Sequence, residues 1–168
     1  MAEQSSFDIG NREIDGDDYF AVIEPVFWSV SIYDGPDQYE RDLSRFSNEQ
    51  RLALAYHWYL SEVNNGGHDQ FYYNSTGIVW PDSLSAFVAI GAEDVVAIIR
   101  ESASRLGGHP SLDREERQQQ LDQFNPDFED LDKELFKLEE QPDFDRKMLD
   151  FMRLHRQQFF FSGSVEKS

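Results

Sequence analysis

Residues 62–77 read EVNNGGHDQFYYNSTG, and what the paired glycines and the polar run after them do decides the fold. Upstream, Ser47 and Gln50 make an S-x-x-Q capping box in front of RLALAYHWYLSEV. Within that run Leu52, Tyr56, Tyr59, Leu60 and Val63 recur at three- and four-residue steps, while Leu54 and Trp58 point elsewhere. The pattern predicts a central helix covered on more than one side. Gly66 and Gly67 stop it, because glycine enters the left-handed conformation of a helix C-cap without steric cost. A short helix, HDQFYYNS, follows and ends at Gly77.

Two readings of this short helix compete. In one, His68, Gln70, Tyr72, Tyr73 and Asn74, with Asp69, supply a base, an orienter and amide donors for an enzyme or small-ligand site. Adjacent His and Asp on a helix do not face each other, however. In the favoured reading Gln70 and Asn74 lie four residues apart on one face and hydrogen-bond backbone at the ends of neighbouring helices. Phe71 and one or both tyrosines then pack inward.

Working outward, period-3.6 patterning dominates and strand-like alternation is scarce, so the expected class is all-α, one compact multi-helix domain over 1–168 with about seven or eight helices. DDYFAVIEPVFWSVSI (17–32) opens on acids suited to a helix N-terminus, and Pro25 is expected to kink or divide it. A turn follows at Asp34, Gly35 and Pro36. Beyond Gly77, Trp80-Pro81 starts PDSLSAFVAIG, which Gly91 ends. AEDVVAIIRESASRL (92–106) has acids first, arginines late and Gly107-Gly108 behind it. Residues 112–124, LDREERQQQLDQF, read as an exposed polar helix between Pro110 and Pro126. Phe128, Leu131, Leu135 and Leu138, then Phe144, Met148, Phe151, Met152, His155 and Phe159, give two closing amphipathic helices separated by Pro142. The terminal FFFSG (159–163) is either a packed end or an interface, and a homodimer is compatible with it.

Thirty-three Asp and Glu against 15 Lys and Arg give a formal net charge of −18 in 168 residues. That exceeds the magnitude of about 2–8 that keeps a small domain soluble. It repels nucleic acid and anionic membrane and attracts basic proteins. The densest run, NPDFEDLDKELFKLEEQPDFD (125–145), sets Asp127, Glu129, Asp130, Asp132, Glu134, Glu139, Glu140, Asp143 and Asp145 against only Lys133 and Lys137. A second acidic stretch holds Asp15, Asp17, Asp18 and Glu24, then Asp34, Asp37, Glu40 and Asp42. Helical carboxylates three or four residues apart lie about 5–6 Å from one another, near the step between phosphates in a nucleic-acid backbone. An acidic ridge can therefore be read as DNA by a basic DNA-binding surface, or equally bind a basic toxin as an immunity protein would.

With no cysteine there is no disulfide, thiolate nucleophile or Cys-based zinc site, and the cytoplasm is the expected location. No apolar run has membrane-spanning length, and the acidic N-terminus lacks a signal-peptide core. His57, His68, His109 and His155 include no pair with metal-site spacing. No nucleophile elbow, phosphate loop or dinucleotide fingerprint occurs, and GGH at 66–68 reads as a helix stop. No cofactor or metal is expected, and no catalytic residue is assigned.

The segment GGHDQFYYNSTG, between the helix ending LSEVNNGG and the helix beginning AEDVVAII, resembles the hallmark region of the bacterial DNA-mimic-protein-like family, formerly catalogued as a domain of unknown function. Gly66, Gly67, Gln70, Phe71, Tyr72, Asn74, Ser75 and Gly77 fit the family pattern, and His68 stands where an aromatic is more usual. The likeness covers roughly 47–106. It implies an all-helical fold and an acidic protein that occupies the DNA-binding surface of a transcriptional regulator. The hallmark residues themselves are fold residues. The acidic positions named above are assigned from charge density alone.

Overall fold

The computed structural model describes residues 3–140 and 143–167. Pro142, expected to separate the last two helices, lies outside the described residues. The protein is predominantly α-helical, and among the described residues eight helices are seven residues or longer, as the periodicity predicts. The chain falls into two compact units, residues 1–54 with 143–168, and residues 55–142.

The first unit contains a feature that the sequence reading lacks. Strand β1 (Gln4–Ile9) pairs antiparallel with strand β2 (Phe161–Glu166), Ser6 opposite Ser164 and Ile9 opposite Phe161. Only Ile9 and Val165 of these twelve residues are buried; β1 alternates exposed with part-buried positions, but only Phe7 and Ile9 mark that alternation with apolar side chains, and β2 does not alternate. The terminal FFFSG is thus divided: Phe159 is buried, Phe160 is exposed, and Phe161 stacks on Phe46 at 5.9 Å as β2 begins.

After α1 (Asn11–Ile14), α2 (Tyr19–Ser29) starts at Asp18, whose carboxylate accepts from Phe20 N. It runs through Pro25 without dividing, and Ser29 Oγ donates to the Pro25 carbonyl. α3 (Pro36–Leu43) begins on the predicted Gly35-Pro36 turn. α9 (Phe144–Leu154) and α10 (Arg156–Phe159) complete the unit. α9 packs on α1 and α2, burying Met148, Leu149, Phe151 and Met152, and Arg153 donates to the carbonyls of Ile14 and Gly16.

α4 (Asn48–Tyr73) opens on the predicted capping box: Gln50 N donates to Ser47 Oγ, and Ser47 N to Gln50 Oε1. The second unit continues from within this helix. A 3-10 turn over Ser75–Val79 leads into α5 (Trp80–Ala89), and Gly91 at φ +74° separates that from α6 (Glu93–Arg105). α7 (Arg114–Phe124) and α8 (Glu129–Glu139) follow. α6 packs on α5 and α8, burying Val95, Val96, Ile98, Ile99 and Ala103 around Phe71, Phe87 and Phe128.

Candidate functional site

As the sequence predicts, the paired glycines stop one helical segment and a second follows, the two making up α4 across a kink. Gly66 (φ −156°, ψ 21°) and Gly67 (φ 73°, ψ −176°) leave helical geometry, and the helix resumes at His68. A Cβ on Gly67 would lie 2.3 Å from Asp132 Oδ2, so both the positive φ and the approach of α8 require glycine. His68 is fully buried at this joint. Its backbone N donates to Asp132 Oδ1 at 3.0 Å, and its Nδ1 to the same oxygen at 2.5 Å. A carboxylate only accepts, which puts a proton on Nδ1, while Nε2 is hydrogen-bonded with the Tyr59 hydroxyl at 2.8 Å. Burial pushes the Tyr59 hydroxyl well above its ordinary pKa, so it keeps its proton. Phe128 closes the ring of contacts, 5.7 Å from the imidazole. The partner of His68 is thus Asp132, sixty-four residues away, and not the adjacent Asp69. Asp132 flanks the buried stripe of Phe128, Leu131 and Leu135, which was the only available sign that it turns inward.

The lower end of α4 is closed by a residue that sequence reading misplaced. Helix α7 was expected to be exposed, and most of it is, but Arg117 is wholly buried. Its Nε donates to Tyr72 O at 2.6 Å, Nη2 to Asn74 O at 2.7 Å and Nη1 to Ser111 O at 2.7 Å. Arg114 and Gln118 both donate to Tyr73 O. Positions 114, 117 and 118 share one helix face, and that face satisfies the carbonyls left open at the end of α4. Burial holds the Arg117 pKa down, to about 10. Gly77 makes the space, since a Cβ there would lie 2.3 Å from Arg117 Nε.

The six residues from His68 to Asn74 proposed for an enzyme site divide between the core and one groove. His68 and Tyr72 face the core, Tyr72 bonded to Ser102 Oγ at 2.7 Å, and Phe71 is buried beside them. Asp69, Gln70, Tyr73 and Asn74 instead line an open groove of about 600 Å³ with Gly66, Leu121 and Asp122 among its other walls. The expected backbone bonds of Gln70 and Asn74 are also corrected: both amides donate to Glu62 Oε1, at 3.0 and 2.5 Å. Glu62 sits two turns before Gln70, and the break at Gly66-Gly67 lets the two segments of α4 face each other across it. Ser75 is half-buried at the start of the 3-10 turn.

The acidic positions are distributed as follows. In the second unit Asp127, Glu129, Asp130, Glu134 and Glu140 are exposed. Arg105 takes Asp130 in a two-pronged bond that holds its carboxyl down to about 2, and Lys133 pairs with Glu129 at 2.5 Å. Asp132 is spent on His68, and Glu139 accepts from Asn64. In the first unit Asp143 pairs with Arg146 and Lys147, Asp15 with Arg156 at 2.9 Å and Glu40 with Arg51 at 2.6 Å. Asp18 caps α2, Asp34 and Asp42 both accept from Ser31, and Asp17, Asp37 and Asp145 are exposed. Among the described residues no group of three His, Asp or Glu could hold a metal ion, and no helix is long and apolar enough to cross a membrane.

These features define an acidic, predominantly helical protein whose central helix is broken at a glycine pair and pinned by a buried histidine and a buried arginine. The chain belongs to the DMP19-like protein family, whose pattern matches residues 44–155. This is the DNA-mimic family that the 62–77 segment resembles, and the match takes in α7, α8 and α9, beyond residues 47–106 that carry the likeness. It is not a known enzyme family, and a DNA mimic implies a protein partner. No curated protein and no solved structure matches the chain.

Proposed function

We propose that the protein acts as a DNA mimic in the cytoplasm, binding the basic surface of a DNA-binding protein such as a transcriptional regulator and blocking its access to DNA. One observation carries this reading. The second unit has seventeen acids and six bases, a net charge of −11, and three of the six bases, Arg105, Arg114 and Arg117, give guanidinium hydrogens to backbone carbonyls. The charge therefore stays on the surface. Asp69 registers it: partial burial and the nearby Asp132 and Asp127 charges hold its carboxyl above the ordinary range. Asp127, Glu134 and Glu140 are the contact residues of this reading, joined by the other exposed acids of 127–145 and 15–42.

A pull-down from the native host at low salt, eluted with salt and identified, tests it. The expected partner is a basic DNA-binding protein whose affinity falls steeply with ionic strength and which duplex DNA displaces. Affinity that is flat in salt, or a ternary complex with DNA, would overturn the reading. Glu134→Lys with Glu140→Lys should abolish capture without changing the fold.

A further inference from the structure

The groove beside the broken helix has a more specific character than the acidic surface around it. Its walls carry two carboxylates, Asp69 and Asp122, and the aromatic ring of Tyr73, which is 55% exposed and already has the guanidinium of Arg114 over one face at 5.9 Å, leaving the other face for a ligand. Gln70 and Asn74 complete the polar lining. Their amide nitrogens are both committed to Glu62, which is not part of the lining. Because a carboxylate can only accept, this commitment fixes which way each amide is turned, and Gln70 and Asn74 each keep a carbonyl oxygen, together with one further N–H, to offer. Among the described residues no lysine or arginine lines the groove. Carboxylates and carbonyls grouped beside an aromatic ring match a planar cation that has several donors, no acceptor and a face for stacking. That description fits guanidinium better than ammonium.

We infer that this groove is an anchor for an arginine side chain of the protein's partner, supplying the specific contact that a diffuse acidic surface cannot. The partner's identity as a basic DNA-binding protein rests on the reading above; the groove's preference for arginine does not. Electrostatic attraction over the whole surface would steer any cation, whereas the acceptors at Asp69, Asp122, Gln70 and Asn74 distinguish one cation from another.

The test uses the full chain and two capped synthetic peptides of equal charge, Gly-Arg-Gly-Arg-Gly and Gly-Lys-Gly-Lys-Gly, followed by amide chemical shifts. The arginine peptide should bind about fivefold or more tightly than the lysine peptide, with shifts centred on Asp69, Tyr73, Asn74 and Asp122. Asp69→Asn with Asp122→Asn should weaken it about tenfold or more, and Glu93→Gln with Asp94→Asn, which removes the same charge elsewhere, no more than about threefold. Equal affinity for the two peptides, shifts centred on Glu134 and Glu140, equal weakening by the two double variants, or no saturable binding would each overturn the groove. None of those results touches the DNA-mimic reading, which fails separately if the pull-down partner ignores salt or binds DNA at the same time.

Discussion

Gly77 and Arg117 occupy each other's space: the guanidinium of one lies where the side chain of any other residue would begin at the position of the other. The pair joins the turn after α4 to helix α7. It gives a physical reason for a glycine in the hallmark segment that a turn requirement alone does not provide, because Gly77 does not have a positive φ.

Gly77→Ala should therefore destabilise by overpacking. Arg117 has no room to retreat without leaving Tyr72 O or Asn74 O, and such insertions cost about 1–3 kcal/mol, a Tm loss on the order of 5 °C for a chain of this size. Thermal unfolding followed by circular dichroism checks it. An unchanged Tm would mean that α7 is not held as described.

Arg117→Met should cost more, about 3 kcal/mol or above, since it strands several buried carbonyls while filling much the same volume. In an Arg117→Ala background Gly77→Ala should lose most of its effect, because the side-chain atoms it strikes are gone. A double-mutant cycle by urea denaturation measures the coupling, and additive losses would show that the two residues act independently.

Asp132 joins α8 to the break in α4, and its side chain is 21% exposed. Asp132→Ala leaves the His68 backbone N–H and Nδ1 without their acceptor and should cost about 2–4 kcal/mol. Asp132→Asn keeps one carbonyl oxygen and should cost less. Hydrogen exchange at the His68 amide should accelerate in both variants, and more in the alanine.

The raised pKa of Asp69 predicts a pH dependence of definite sign. Its folded carboxyl holds a proton more tightly than the unfolded one, so ionisation opposes folding. The penalty is absent below the ordinary carboxylate pKa and fully present once pH has risen above the folded value. Asp69→Asn should thus raise Tm at pH 7, and the gain should disappear on acidification through the carboxylate range. A gain that persists at low pH would point to a cause other than charge.

Elements with strong local signals were legible without a structure. The Ser47–Gln50 capping box, the apolar face of α6 and the Gly91 stop each follow from chemistry within a few residues. The β1–β2 ribbon was not, because its strands lie at opposite ends of the chain and present almost no apolar alternation. Arg117 was hidden for a different reason. A polar face normally faces water, and only the carbonyls at the end of α4, forty residues earlier, draw the face of Arg114, Arg117 and Gln118 onto protein and bury Arg117.

Sequence by itself thus determined the helical class, the break at Gly66-Gly67, the family and the large negative charge, since period, backbone freedom and charge are properties of neighbouring residues. Only the tertiary structure decided which acids are free. Asp132 goes to His68, Asp130 to Arg105 and Glu62 to the amides of Gln70 and Asn74, while Asp69 and Asp122 are left lining a groove. A carboxylate's role depends on what lies within about 3 Å of it, and in a folded chain that neighbour can come from sixty residues away.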